Sequence, residues 1–168
     1  MWSKALRVGI TGHLDLTAAT CASVTAEIRD HLIRLGGSDL VGVTCLARGA
    51  DTLFAEQVIA MGGRLVVIIP SPDYFDQEVS PAEAPLYRSL VETAWAVRRM
   101  ATPHAGDEAY RVANREMLES VDRLLAVWDG NPNGGAGGTA AVVREARRRD
   151  LPVTVIWPEG ARRLRSEH

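Results

Sequence analysis

The chain has 168 residues, enough for one domain with a sizeable core, and its 46% apolar and 24% charged content is that of a globular protein. A formal net charge of -2 leaves no general basic field, so a nucleic-acid partner is not expected. The only cysteines, Cys21 and Cys45, lie far apart without Cys-x-x-Cys spacing, which argues against a disulfide framework or a zinc site and for thiols in a reducing compartment. No apolar run reaches membrane-spanning length, so no membrane partner is expected. A strand pattern begins almost at once, leaving no room for a signal peptide, and the expectation is a cytoplasmic protein.

Strand and helix patterns alternate along the chain. Residues 6–10 predict a first strand and 17–35 a helix, with Val24, Ile28, Leu32 and Leu35 on one face and Gly36-Gly37 as its stop. Residues 40–45 predict a second strand, and 50–61 a helix ended by Gly62-Gly63. The third strand, residues 64–69, is so apolar that both its faces must be covered, as in a parallel sheet.

Residues 80–100 predict one long helix, with Ser80 as cap and Pro81 in the first turn. Its stripe of Leu86, Leu90, Val91, Ala94 and Val97 suits either the core or a partner chain. A turn-rich connection over 101–107 leads to a helix over 110–120 and a fourth strand over 123–128. A helix over 140–149 and a last strand over 153–157 complete the pattern. The fold class is therefore α/β, a single doubly wound, mainly parallel Rossmann-like domain over residues 1–168 with helices on both faces. Ligands of such sheets bind beyond the carboxyl ends of the strands, where strand order reverses.

Candidate binding residues cluster at those ends. Gly9-Ile10-Thr11-Gly12-His13 closes the first strand; it lacks the third glycine of a dinucleotide fingerprint, and no Walker lysine stands near it. Thr11 offers a hydroxyl, and His13 a donor or an acid-base group. Arg48-Gly49-Ala50-Asp51 opens the second helix, where Arg48 suits a phosphate and Asp51 suits the helix dipole. Asn114 and Arg115 precede the fourth strand. Asp129 and Gly130 end it, with Asp129 and Asn131 placed to meet ribose hydroxyls or to form Asx turns. The strongest signal is the glycine-rich run 134–138 with Thr139, directly before a helix: Gly137, Gly138 and Thr139 suit an anion nest. Trp128 and Trp157 read as packing. The basic runs Arg147-Arg148-Arg149 and Arg162-Arg163-Leu164-Arg165 read as solvated surface. No cofactor and no metal is called for.

These loops together resemble the SLOG superfamily: Gly9 to His13, then Leu46-Ala47-Arg48-Gly49-Ala50-Asp51, then the segment 122–130 and Gly137-Gly138-Thr139. That superfamily comprises Rossmann-like domains related to the LOG proteins, often labelled lysine decarboxylases, and to DNA-processing protein A. The resemblance implies a domain that binds nucleotides or nucleotide-derived molecules, with phosphate held at the Gly-Gly-Thr loop. It also implies a homodimer or larger homo-oligomer. The enzymatic LOG branch carries a catalytic glutamate shortly after that threonine and an arginine on the preceding helix. Here the glutamate positions hold Ala141 and Val142, Glu145 lies a turn too far, and Arg115 is offset by about two residues in the motif alignment. The expected function is therefore a nucleotide-binding sensor or module. The alternative is an N-glycosidase or phosphoribohydrolase acting on nucleoside monophosphates with Asp129 or Asp51.

Overall fold

The computed structural model describes residues 4–133 and 138–164. β1 (Arg7–Gly12) is followed by α1 (Ala18–Leu35), whose N-cap Thr17 accepts from the Thr20 amide through its hydroxyl. Val24, Ile28 and Leu32, spaced four apart, are fully buried, and Gly36 ends the helix at φ +139°. β2 (Val41–Thr44), α2 (Ala50–Ala60) and β3 (Arg64–Ile69) continue the alternation. A short helix, α3 (Tyr74–Glu78), follows the Pro70-Ser71-Pro72 break.

The long helix expected over 80–100 is two elements. Ser80 lies ahead of the helix, whose cap residue is Glu83: the Ser80 hydroxyl accepts from the Glu83 amide while the Ser80 amide donates to the Glu83 carboxylate. α4 (Ala84–Thr93) then stops, Ala94 turns to ψ 139°, and β4 (Ala96–Arg99) pairs in parallel with β3, Val97 lying opposite Val67. The free edge of β3 supplies backbone partners that a helical pattern of Ala, Val and Arg cannot reveal, and tertiary pairing overrides the local preference. The stripe is thereby split as well. Leu90 is buried, Val91 and Ala94 pack on the core, Leu86 is exposed, and Val97 belongs to the sheet.

α5 (Asp107–Ser120) crosses back to β5 (Arg123–Val127), and α6 (Thr139–Arg148) leads to β6 (Val153–Ile156). All six strands are parallel in the order β4-β3-β2-β1-β5-β6. The fold is the doubly wound α/β architecture that the alternation implied, with one strand more than expected. Strands alternate their side chains between two cores. Val8, Ile10, Leu65 and Val67 meet α1, α2 and α4 on one face. Val41, Val43, Val66 and Ile68 meet α5 and α6 on the other. Cys45 is buried and Cys21 half-buried, both as free thiols. None of the described helices is long and apolar enough to cross a membrane.

Two glycines let the strand ends converge. A Cβ on Gly12 would lie 2.4 Å from the Ala50 Cβ and 2.8 Å from the Val127 Cβ, so β1, β5 and the start of α2 meet only because it has none. Gly49, at φ +80°, would place a Cβ 2.5 Å from the His13 carbonyl oxygen, which also accepts the Ala50 amide. Gly49→Ala is expected to lose more than about 2 kcal/mol, combining strain and clash. Gly62→Ala, at φ +81° but with only Ser38 within 3.7 Å, is expected to lose about 1 kcal/mol. Urea unfolding of both variants checks this; equal losses would contradict the crowding at Gly49.

Candidate functional site

Strand order reverses between β1 and β5, and beyond their carboxyl ends lies a cleft of about 690 Å³. That volume is in the range of small-molecule sites. Thr11, Gly12 and His13 line it from β1; Ala47, Arg48 and Asp51 from the β2–α2 turn; Tyr110 and Asn114 from α5. Trp128, Asn131 and Asn133 line it beyond β5, and Gly138, Thr139 and Ala140 at the start of α6. Gly138 caps α6 without a side-chain hydrogen bond, so the amides of the first turn keep their partial positive charge for whatever occupies the cleft. Arg48 makes no ion pair among the described residues.

One wall is an ionic tie between three loops. His13, 8% exposed, accepts the Asp129 amide at Nε2 over 3.1 Å. The same Nε2 stands 3.2 Å from the Asp129 Oδ1. Burial, assisted by the nearby Arg163 guanidinium, lowers the His13 pKa against the opposing pull of Asp129. Burial tends to raise Asp129, yet the Asn131 amide, His13 and Arg163 hold it below the usual carboxylate range. Arg163 donates to Asp15 at 2.9 Å and sits 3.6 Å from Asp129. The segment 158–164 thus straps the first loop, with Leu16 bridged to Arg163 and the Leu164 amide donating to the Asp15 carbonyl at 2.6 Å.

The floor is different in kind. Asp51, 7% exposed in the first turn of α2, accepts the Ala47 amide at 3.2 Å. Burial raises its pKa to about 7, against the hydrogen bonds from Ala47 and Thr44. Cys45 lies beside it, its thiol pushed well up by burial and by the Asp51 charge, and its Sγ is 3.9 Å from the Asn114 Oδ1. A carboxyl at this set point both donates and accepts protons near neutrality.

The structure brings Thr11, Gly12, His13, Arg48, Asp51, Asn114, Gly138 and Thr139 to this one cleft. It does not bring the other described candidates there. Gly9 lies within β1 against Met117; Gly49 backs the turn and borders a neighbouring hollow with Leu14 and Tyr74. Arg115 faces a separate groove between α5 and α6, with Arg111, Arg144 and Arg149. Asp129 stands behind the wall, tied to His13 and Arg163, and its Oδ1 accepts the Asn131 amide in an Asx turn. Gly130 turns the chain at φ +85°. Gly137 and the rest of the run 134–137 lie outside the described residues.

Sequence reasoning missed Cys45 and Tyr110 as lining residues. Tyr110 stands four residues before Asn114 on α5, a spacing that already put both on one helix face. It also took Arg163 for solvated surface, whereas Asp15 and Asp129 engage it, and it took Trp128 for packing, whereas its half-buried ring borders the cleft. Among the described residues no three His, Cys, Asp or Glu side chains converge as a metal set.

The chain matches no protein-family model, and no curated protein matches its sequence. Among solved structures it is similar to DNA processing protein A from Streptococcus pneumoniae, with a TM-score of 0.65 at 16% identity, covering 92% of this chain and 51% of that one. The same protein from Helicobacter pylori, described for its single-stranded DNA binding mode, gives 0.63 at 17% identity, covering 89% of this chain and 64% of that one. The molybdenum cofactor binding protein from the phototrophic bacterium Rippkaea orientalis gives 0.57 at 18% identity, covering 90% and 76%. The chain thus spans between about half and two thirds of the length of the DNA-processing proteins. The likeness shows that this chain shares the Rossmann-like fold of these neighbours.

Two expectations follow from the walls and floor. The folded state binds a proton at Asp51 between the ordinary aspartate value of 3.8 and about 7, where the unfolded chain does not. That contribution is whole below the lower value and lost as pH rises through the upper one. Wild-type stability minus that of Asp51→Asn should therefore fall by about 1 kcal/mol per unit between roughly pH 4 and pH 6. Denaturant unfolding across that range checks it, and a flat difference would contradict the burial of Asp51. Arg163→Ala should release the strap, raising hydrogen exchange at the Leu164 amide at least about tenfold while leaving the sheet amides unchanged.

Proposed function

We propose that this domain binds a nucleotide or nucleotide-derived phosphate ligand in the cleft at the carboxyl ends of β1 and β5, acting as a sensor or ligand-binding module. The observation that carries this reading is the opening of the α6 N-terminus, with no capping hydrogen bond from a described side chain, into the same cleft as Thr11, Gly12 and Arg48. Aligned amides carrying about half a positive charge attract an anion, and an arginine adds a planar donor fork for phosphate oxygens. The Trp128 ring at the cleft border offers an aromatic face, and Asn131 lines the cleft as well. Fold neighbours described by molybdenum cofactor binding and by single-stranded DNA binding are consistent with a fold put to ligand binding.

The N-glycosidase alternative has less behind it. Loss of a base from ribose needs an ionised carboxylate beside the developing positive charge. Asp129 is tied to His13 and Arg163 behind the wall, and burial keeps much of Asp51 protonated at neutrality. Val142, at one of the two glutamate positions of the LOG branch, is buried in the core.

Calorimetric titration with adenosine, guanosine, cytidine and uridine 5′-monophosphates tests the proposal. At least one should bind and raise the melting temperature, and Arg48→Ala should weaken it at least about tenfold without changing the fold. Chromatography after prolonged incubation should recover intact nucleotide. Free base would favour the hydrolase instead, and the absence of binding by all four would overturn the nucleotide assignment.

A further inference from the structure

Four arginines outside the cleft line a groove of about 390 Å³ between α5 and α6: Arg111, Arg115, Arg144 and Arg149. Buried Leu118 and Val142 line it between the two helices. Carboxylates engage only part of this charge. Arg111 pairs with Glu108 at 3.0 Å, and Arg149 pairs with Glu145 at 2.8 Å and Glu119 at 3.7 Å. Glu145 is also held by Arg148. Arg115 and Arg144 make no ion pair among the described residues. Arg111 and Arg115 stand four apart on α5, a spacing at which like charges repel. The groove therefore concentrates positive charge in a chain whose formal net charge is -2.

Groove and cleft adjoin. Asn114 lines both, because it follows Tyr110 of the cleft by four residues and Arg111 of the groove by three. α6 repeats the arrangement. Arg144 follows Ala140 of the cleft by four residues and Ala141 of the groove by three, which sets its stem over the boundary between them. Helical side chains lean toward the N-terminus of their helix, and the Arg144 Nη1 donates to the Pro132 carbonyl at 3.2 Å. Pro132 sits between Asn131 and Asn133, both of which line the cleft. The Arg144 guanidinium thus stands at the rim that the two hollows share. Pro132 takes one of its five donors, and the rest of the fork is left for a ligand.

We propose that this groove is a second phosphate subsite, in which Arg144 at the rim and Arg115 on α5 bind a further phosphate of the ligand whose first phosphate rests on the α6 amides. This depends on the phosphate-ligand reading above and names the ligand class: a nucleotide with more than one phosphate. A lone phosphate at the start of α6 leaves the groove unused, whereas a second one carried on the same ligand meets guanidinium forks from both helices. Such forks match phosphate oxygens in pairs, and charge assistance makes each bond stronger than a neutral one. Two sources supply this chemistry, the polyphosphate chain of a nucleoside triphosphate and the next phosphodiester of a short oligonucleotide.

The test is calorimetric titration, in buffer free of divalent cations, with the four nucleoside 5′-monophosphates, the matching triphosphates and the matching 5′-phosphorylated homodinucleotides. The proteins are wild type, Arg115→Gln, and Arg115→Gln combined with Arg144→Gln. A control, Arg29→Gln combined with Arg34→Gln, removes the same charge from exposed positions on α1, which packs on the opposite face of the sheet. In wild type at least one triphosphate or dinucleotide should bind at least about tenfold tighter than its own monophosphate. Arg115→Gln should cut that ratio at least about threefold, and the groove double variant should bring it close to one while the monophosphate binds as before. The control should keep the ratio. Whichever gain is larger, that of the triphosphate or that of the dinucleotide, identifies the source of the second phosphate. No gain over any monophosphate, a gain that survives the groove double variant, or a gain lost equally in the control would each overturn the subsite and leave the first-phosphate reading standing. Failure of every probe on wild type would overturn both.

Discussion

The side-by-side pairing of β1 with β5 is the constraint on which the rest of this structure depends. Val8 to Gly12 lie in register with Arg123 to Val127, and the chain reaches β5 only after winding outward to β4 and crossing back. Successive helices therefore leave in opposite directions from adjacent strands, and a crevice opens where they part. Gly12 holds the crevice narrow, since a methyl group there would collide with Ala50 and Val127. A single absent side chain thus brings the first loop, the start of α2 and the end of β5 to a common site.

The start of α6 offers helix amides to this cleft, and Arg48, which makes no ion pair among the described residues, lines it from the β2–α2 turn. The cleft floor offers a carboxyl that burial holds close to neutral, surrounded by phenol, thiol and carboxamide. Asp15 and Asp129 share the single positive charge of Arg163 at the wall, which offsets part of their negative field at the opening. The strap that carries Arg163 closes the molecule behind the first loop, and in doing so it takes part in shaping the site from the far end of the sequence.

Much of this was legible in the sequence because the signals were local. Apolar runs bounded by glycine located β1, β2, β3, β5 and β6, and a four-residue stripe with Thr17 and Gly36 at its ends located α1. The positions of Thr11, His13, Arg48, Asp51 and Asn114 in one cleft followed from strand-end loops sharing a sheet edge. What escaped depends on distant partners. β4 exists because β3 has a free edge, and nothing in Ala96 to Arg99 distinguishes it from the end of a helix. Arg163 becomes part of a wall only through Asp15 and Asp129, each more than thirty positions away along the chain. Arg115 and Asp129 looked like site residues from spacing alone. A helix of 3.6 residues per turn sends Arg115 to the outer groove, and an Asx turn folds the Asp129 carboxylate back onto its own loop.

The central claim is that an anion docks on the first-turn amides of α6 opposite the turn at Gly12. It is tested most directly by amide chemical shifts in a ¹⁵N-labelled sample titrated with adenosine 5′-monophosphate and, separately, with inorganic phosphate. The account predicts saturable shifts at Thr139 and Ala140 with both, joined by Thr11 to His13 with the nucleotide. Shifts confined to the arginine groove between α5 and α6, with Thr139 and Ala140 unmoved, would contradict it.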